Sequence, residues 1–237
     1  MHLRTEQDVM RHWDPEQRTP LVSIVCLTYN HAPYIAEAEE GFLMQETLFR
    51  FEILVNDDAS DDGTQDVIRS YAERYPTLIK PIFRKENQYS QGVPYGIQLF
   101  ALARGDYIAY CEGDDYWTDP LKLQIQVDFL EQNPDYVITY HDSYVFNSSG
   151  IVEQHRFQGQ DHRDLSALEL KQAHPLSTLT VCFRNKIQEL PPELYTAKLM
   201  DICWRSLLGA YGKGKYLAEI KPAAYRIHEG GIFSMRT

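Results

Sequence analysis

Three β-rich apolar runs, each followed by a polar loop, constrain the fold of this sequence most strongly. They are residues 21–27, 51–56 and 107–111. Continuous apolar runs of this length are typical of strands that are buried on both faces. The segments 33–45 and 64–75 between them have helical patterns. Strands that alternate with helices at short intervals predict an α/β sandwich with a mainly parallel central sheet.

The polar loops after these runs carry the groups that could bind a ligand. They are residues 28–31, 57–64 and 112–115. In a parallel sheet the carboxyl ends of the strands lie at one edge, and ligands bind in the crevice beyond that edge. We therefore expect the three loops to meet at one site.

The third loop, Glu112-Gly113-Asp114-Asp115, is the most unusual of them. Three carboxylates within four residues repel one another and are costly to desolvate, so such a cluster is tolerated where a positive charge binds. Mg²⁺ is often held by one or two carboxylates together with substrate phosphates. A divalent cation site is one interpretation. A solvated acidic turn before the helix that follows Pro120 is the other.

Composition excludes several classes of function. With 237 residues the chain is long enough for one substantial domain with helices on both faces of a sheet. A formal net charge of −11 argues against a nucleic-acid surface, which needs a basic patch. No apolar run approaches the roughly 20 residues of a membrane-spanning helix, and the first residues lack the apolar core of a secretory signal.

The four cysteines are widely spaced and include no C-x-x-C pair. We interpret them as reduced thiols in the core, which fits a cytoplasmic protein.

The chain shows no linker that would divide it into two folding units. Residues 1–20 are polar and predict a short leader or helix that packs outside the core, and residues 21–237 form the domain. Within it, residues 147–164 are polar and predict a flexible excursion, and residues 212–215 predict a turn.

Several common motifs are absent. The run from Asp58 to Gly63 resembles a calcium loop, but Arg69 stands where an EF-hand needs its last glutamate. We instead expect Asp58 to accept a hydrogen bond from a ligand while Asp61 or Asp62 caps the next helix. Neither a P-loop nor a G-x-G-x-x-G motif occurs, so a bound diphosphate would depend on a metal.

Four stretches together resemble family 2 glycosyltransferases of the GT-A fold. They are residues 22–30, residues 52–64, residues 103–117 extended by 120–126, and Tyr225-Arg226-Ile227-His228. The resemblance covers roughly residues 20–235. It implies a GT-A, Rossmann-like α/β/α sandwich, with residues 21–117 as the half that binds the nucleotide-sugar and 118–237 as the half that binds the acceptor.

The resemblance also implies a donor site that binds Mg²⁺ or Mn²⁺ through a D-x-D-type motif. Asp114 is the expected main metal ligand. Asp115 could share the metal or orient the loop, and His228 could complete the metal shell. Glu112, which stands where Asp is commoner, is a further candidate metal residue that could reach the ribose or a metal-bound water. The residues expected at the nucleotide-sugar are Thr28, Tyr29, Asn30, Asp58, Asn87, Asp114 and Arg226.

The implied reaction is an inverting transfer from a nucleoside-diphosphate-sugar, a UDP-sugar, to a hydroxyl of a glycan or lipid-linked acceptor. Such a transfer needs a general base within hydrogen-bond reach of the acceptor. Asp201 lies where the family places that base, although Met200 before it departs from the pattern. Asp142 and Glu229 are the alternatives.

Two other functions stay open. One is a binding domain that keeps the donor pocket without catalysis. The other is a nucleotidyltransferase, which should have a glycine-rich loop with a basic residue after its first strand. Residues 28–33 are neither glycine-rich nor basic, which counts against this alternative. For the leading interpretation we expect surface polysaccharide or glycoconjugate synthesis in the cytoplasm, with peripheral contact at the inner face of the plasma membrane. We expect no nucleic-acid partner.

Overall fold

Strands and helices alternate along the chain, as the sequence predicts. The structure is a computed structural model, and it describes residues 4–93, 95–187 and 200–231. The strands of this part are β1 Val22–Thr28, β2 Phe51–Asp57, β3 Ile79–Phe83, β4 Tyr107–Glu112, β5 Tyr136–Tyr140, β6 Ser143–Asn147, β7 Gly150–Glu153, β8 Cys182–Arg184, β9 Lys213–Tyr216 and β10 Ala223–Arg226. The α-helices are α1 Glu6–Val9, α2 Ile35–Leu43, α3 Thr64–Arg74, α4 Tyr95–Gln98, α5 Lys122–Gln132, α6 Ala167–Lys171 and α7 Met200–Leu208.

A seven-stranded sheet in the order β3-β2-β1-β4-β8-β5-β9 is the framework of the fold. Its neighbouring strands pair in parallel except β8, which is antiparallel to both β4 and β5. At the carboxyl ends, Leu27 pairs with Glu112 and Thr28 pairs with Asp57. The predicted α/β sandwich with a mainly parallel sheet is confirmed, and the ends of β1, β2 and β4 are neighbours.

Hydrophobic cores cover both faces of the large sheet. In β1, the adjacent residues Ile24 and Val25 point to opposite faces and belong to different cores. Ile68 of α3 lies in the first core and Leu208 of α7 in the second. Burial of one such side chain contributes about 1.5–3 kcal/mol. This two-sided burial explains why the central strands are continuous apolar runs rather than alternating ones.

A second, three-stranded sheet has the order β10-β6-β7. β10 is parallel to β6, and β6 is antiparallel to β7. A bridge between Tyr116 and Ala224 joins β10 to the segment just after the acidic loop. This small sheet therefore brings the end of the described chain back to the edge of the large sheet where β4 ends.

The N-terminal segment packs into the core, so the prediction that it lies outside the core was wrong. Val9 and Trp13 belong to the first hydrophobic core. The Trp13 indole donates a hydrogen bond of 3.0 Å to the Thr47 hydroxyl, and the Tyr75 hydroxyl donates one of 2.6 Å to the carbonyl of Arg4. The few apolar residues of this segment stand among many polar ones, and their spacing gives too weak a periodic signal to indicate this docking.

Two predictions in the second half were also wrong. Residues 213–215, expected in a turn, belong to β9. The expected excursion 147–164 includes β7 and a 3₁₀ turn at Arg156–Gly159. β9 is an edge strand with one partner, and edge strands are commonly polar because one side faces water. The apolar pattern that identifies central strands is therefore missing there.

No helix among the described residues has both the length and the apolar character needed to cross a bilayer.

Glu39 on α2 is an acidic residue whose side chain lies inside the protein. It is fully buried, and in the part of the chain that the structure describes neither carboxylate oxygen has a hydrogen-bond partner. Burial raises the pKa of Glu39 from 4.5 to about 8. The folded protein therefore keeps a proton on Glu39 at pH values where the unfolded chain has released it.

We expect the substitution Glu39→Gln to remove part of the pH dependence of stability. Below pH 4.5 both states hold the proton. Between 4.5 and about 8 only the folded state holds it, so the free energy of unfolding falls as pH rises, by at most roughly 1.4 kcal/mol per pH unit. Above that range the effect is constant. Urea unfolding of wild type and variant across this range measures the difference, and parallel curves would contradict the assignment.

Candidate functional site

The acidic loop packs closely against the end of β1. The Gly113 amide donates a hydrogen bond of 2.8 Å to the carbonyl of Leu27. A Cβ atom at position 113 would lie 2.8 Å from the Thr28 Cβ and 2.9 Å from the Ile35 Cδ1. Both distances are too short for a side chain, so glycine is required there. The absence of a side chain lets the carboxylates on either side approach the first strand.

Asp114 lies between two histidines from distant parts of the chain. Its Oδ2 is 3.1 Å from the Nε2 of His228 and 3.7 Å from the Nε2 of His31. His31 follows β1, and His228 follows β10. Burial is the largest influence on the pKa of Asp114 and raises it. The hydrogen bond from His228 is the largest opposing influence, and the pKa of Asp114 lies below its ordinary value.

These three residues have the chemistry of a divalent cation site. One donor atom from each lies within 4.8 Å of the others. A carboxylate oxygen with two imidazole nitrogens suits Mn²⁺ or another transition metal better than Mg²⁺, which prefers oxygen alone. Burial also lowers the pKa of His31, which favours the neutral form that binds metals. The residues present therefore fit a divalent transition-metal ion.

The sequence did not single out His31 as a donor to the metal. The available signal was its place, since His31 ends the polar loop after β1 at the edge where the crevice was expected. The described metal-donor group includes His31, Asp114 and His228, and neither Glu112 nor Asp115. The assignment of those two carboxylates as ligands stays a prediction.

Asp115 is turned away from this group and into the protein. It is 2% exposed, and its Oδ1 accepts a hydrogen bond of 2.8 Å from the backbone amide of Arg226. Burial raises its pKa well above the ordinary value, and the neighbouring charges of Asp114 and Glu112 add to the effect. Asp115 thus joins the acidic loop to the end of β10.

Arg226 strengthens the same connection. Its Nε donates a hydrogen bond of 2.8 Å to the carbonyl of Asp114, and its guanidinium forms an ion pair with Glu37 on α2. The guanidinium carbon lies 4.6 Å from the Tyr34 ring centroid and 4.5 Å from that of Phe146. The side chain is therefore held in place in this structure, and its predicted contact with a diphosphate stays a prediction.

Asn30 joins the loops that follow β1 and β2. Its backbone amide donates to the Ser60 hydroxyl at 2.8 Å, and its side-chain oxygen accepts from the Asp61 amide at 3.1 Å. Asn30 has a φ of 54°, in the left-handed region that asparagine tolerates better than most residues. Beside it, Thr28 is buried, while Tyr29 is 43% exposed.

Asp58 orders the loop that contains Asn87. Asp58 is fully buried, and its two carboxylate oxygens accept hydrogen bonds from the backbone amides of Gln88 at 2.8 Å and Tyr89 at 2.9 Å. Asn87 itself accepts a hydrogen bond of 2.7 Å from the Ser90 amide. In this structure the Asp58 carboxylate therefore shapes the loop, and a contact with a nucleotide base stays a prediction.

We expect Asp58→Asn to destabilise the protein by about 1–3 kcal/mol, because one amide donor of the loop would face an NH₂ group instead of an oxygen. Asp61→Asn is the matched control, since Asp61 is exposed in the same loop region. Urea unfolding with intrinsic fluorescence measures both variants. Equal midpoints for wild type and Asp58→Asn would show that the two hydrogen bonds do not hold the loop.

A comparison with protein-family models identifies the family of the chain. The model described as "Glycosyl transferase family 2" matches residues 23–190, which is more than half of the chain. The chain belongs to glycosyl transferase family 2. The resemblance noted in the sequence is thereby confirmed.

Relatives and solved structures agree with membership of family 2. An uncharacterised protein of Mycobacterium tuberculosis is 38% identical over 219 residues, covering 90% of this chain and 60% of the relative. A fragment of S. aureus TarS, residues 1-349 in complex with UDP-GlcNAc, has a TM-score of 0.66 at 20% identity, and the match covers 89% of this chain and 59% of the fragment.

Mannosyltransferase PcManGT from Pyrobaculum calidifontis, in complex with GDP-Man and Mn²⁺, has a TM-score of 0.65 at 19% identity. The match covers 92% of this chain and 60% of PcManGT. At these identities the likeness shows the fold, and the predicted GT-A architecture is confirmed. This family 2 chain spans about 60% of the length of the mycobacterial relative.

The candidate bases of this family 2 domain occupy different settings. Asp201 is the second residue of α7, and its side chain lies outside the described residues. Asp142 is buried at 6% exposure, and its Oδ2 is 2.5 Å from the Nδ1 of His155. Glu229 is exposed next to His228. The choice among the three bases stays a prediction.

Proposed function

We propose that the protein is a metal-dependent, inverting glycosyltransferase that moves a sugar from a nucleoside-diphosphate-sugar to an acceptor hydroxyl. The observation that carries this proposal is the position of Asp114. It lies between two histidines where three strand ends meet, inside a family 2 domain. Support for the donor class comes from TarS with UDP-GlcNAc and PcManGT with GDP-Man.

Each loop of the crevice would have a separate task toward the donor. Tyr29, exposed at the end of β1, offers a flat ring for the base or ribose, and Thr28 and Asn30 flank it. Asp58 keeps the Asn87 loop in place above the same edge. From the resemblance, Glu112, the last residue of β4, would reach the ribose or a metal-bound water.

The diphosphate would lie against the acidic loop. His31, Asp114 and His228 would hold the divalent cation, which when bound neutralises negative charge on the leaving diphosphate. Asp115 and Arg226 keep Asp114 in position by joining its loop to β10 and α2. A loop held from two sides orients its carboxylate before substrate arrives, which is the basis of electrostatic preorganisation.

The transfer would proceed with inversion. The acceptor oxygen attacks the anomeric carbon from the face opposite the diphosphate, through an oxocarbenium-like transition state, and the bond from that carbon to the diphosphate oxygen breaks. The proton of the acceptor hydroxyl moves to the carboxylate of Asp201, the proposed general base. The products are the β-linked glycoside, if the donor is α-linked, and a nucleoside diphosphate.

The chemical class of the acceptor is inferred only from the resemblance to family 2 glycosyltransferases. We propose a glycan or lipid-linked hydroxyl in surface polysaccharide or glycoconjugate synthesis, with a UDP-sugar as donor. Contact with the inner face of the plasma membrane would then arise through the acceptor.

The deciding experiment is a panel of UDP- and GDP-sugars incubated with the protein and Mn²⁺, with and without glycan acceptors, while release of nucleoside diphosphate is followed. We expect turnover with at least one donor and loss of turnover in EDTA. If a donor binds in a metal-dependent way but is not turned over, not even by slow hydrolysis, the protein is a nucleotide-sugar-binding domain and not an enzyme. Equal turnover with and without EDTA would show that the reaction does not depend on a divalent metal ion.

A further inference from the structure

A second group of possible metal donors lies apart from the Asp114 site. Asp142 follows β5 by two residues, and His155 and His162 flank the 3₁₀ turn Arg156–Gly159. One donor atom from each of the three lies within 4.8 Å of the others. The proposed transfer reaction uses neither histidine. Asp142 is buried, whereas the two histidines approach it from the outside.

The atoms of this group converge closely enough for one ion to bind all three side chains. The Nε2 of His162 is 2.9 Å from the Oδ1 of Asp142, and the Nδ1 of His155 is 2.5 Å from its Oδ2. Two ligands of a tetrahedral zinc ion lie about 3.3 Å apart, so a bound ion would replace these direct contacts after each pair separates by less than about 1 Å. Although it is close to Asp142, the Nε2 of His162 has no hydrogen-bond partner with suitable geometry among the described residues.

Asp161 is an independent indication that a cation belongs here. It is 2% exposed, and within the described part of the chain its Oδ1 has no hydrogen-bond partner. That oxygen lies 3.9 Å from the Nε2 of His162. A buried carboxylate oxygen without a partner is costly, and a bound cation would remove the cost.

We propose that Asp142, His155 and His162 form a second metal site for a divalent transition-metal ion such as Zn²⁺, with the Asp161 carboxylate beside it. Two imidazoles with a carboxylate suit zinc, which accepts nitrogen and oxygen ligands and can keep a further position for water. The His162 ring stacks on Tyr216 at 5.0 Å between centroids and 13° between planes, which fixes its orientation. This site shares no residue with the group around Asp114.

The ion would hold a segment that forms part of a pocket. Between the two histidines, Phe157 and Gln158 have φ values of 55° and 54°, in the left-handed region. Together with Arg156 they line a pocket of about 400 Å³ that also includes Tyr225 of β10. The Arg156 guanidinium carbon lies 3.4 Å from the Tyr225 ring centroid. The second metal site would therefore order a pocket beside the strand that carries Arg226.

The test uses the full chain, purified without a histidine tag and freed of metal by a chelator. Zinc is then titrated in competition with a chromophoric chelator, and bound metal is counted by mass spectrometry after dialysis. We expect His155→Ala and His162→Ala each to lower zinc affinity at this site by at least about 10-fold. The dialysed protein should then retain one equivalent less than wild type.

His174→Ala is the matched control, because His174 contacts the carbonyl of Gln160 in the same region and is no member of the group. It should bind zinc as wild type does. The same series in an Asp114→Asn background separates the two sites, and one equivalent should persist there until His155 is replaced. The side chain of His155 is 55% exposed, so its removal should leave the core folded, as circular dichroism can show. Unchanged zinc binding in both histidine variants, or none in the Asp114→Asn background, would overturn the proposal.

Discussion

Replacing Asp201 by Asn should lower kcat by about 10²- to 10⁴-fold, the usual contribution of a general base. The amide cannot take the proton of the acceptor hydroxyl, whereas the donor site on the other loops is unchanged. The dissociation constant of the nucleotide-sugar should therefore stay within experimental error of the wild-type value. Initial rates with saturating donor and isothermal titration with the same donor measure the two quantities.

Asp135→Asn is a suitable control for this substitution, because Asp135 is a surface carboxylate with a side chain that is 79% exposed. Asp142→Asn and Glu229→Gln belong in the same series as the rival bases. A wild-type rate in Asp201→Asn would remove Asp201 from the role. A loss confined to one of the other two variants would assign the proton transfer to that residue.

Asp114→Asn should have the second large effect, with turnover lowered at least about 100-fold, since metal stabilisation of a leaving group contributes several kcal/mol. Asn retains the size of the side chain and loses the charge that His31 and His228 face. Unlike the Asp201 variant, this one should also lose metal-dependent donor binding. Donor titrations with Mn²⁺ and with EDTA distinguish the two cases.

Asp66→Asn is the control for charge removal, because its side chain is 85% exposed on α3 and far from the acidic loop in sequence. His228→Ala and His31→Ala should each weaken the dependence on Mn²⁺ in the same assay. If Asp114→Asn binds donor as tightly with Mn²⁺ as wild type does, the cation is held elsewhere. In that case the three residues form a hydrogen-bonded cluster of structural importance only.

The central strands could be predicted because burial on both faces favours apolar residues along most of each strand. β1, β2 and β4 are covered on both faces, so nearly every residue in them is buried and most of these residues are apolar. β9 and β6 have no such requirement, since β9 has one neighbour and β6 belongs to a small sheet. β9 is short and polar, and β6 is a run of five residues with polar ends, so the sequence alone does not distinguish either from a loop. The pairing partners identify them as strands.

The site was predictable to the level of the loops and less so for the individual side chains. Strand order determines which loops meet, but the direction of each side chain depends on local turns. Asp114 and Asp115 are neighbours in sequence, yet one faces two histidines and the other is bonded to the Arg226 backbone. His31 had no motif around it, and its role is visible only once β1 and β10 are placed in space.

The position of His228 after β10 has a consequence for how the protein matures. A chain leaving the ribosome folds from its N-terminal part onward, so His31 and Asp114 can take their places while β10 is still being made. The group of three is complete only after β10 has paired with β6 and Tyr116 has bridged to Ala224. Nascent chains should therefore acquire affinity for an ion at this group only after synthesis has passed His228. A chain truncated before β10 would in this way be kept from binding the ion.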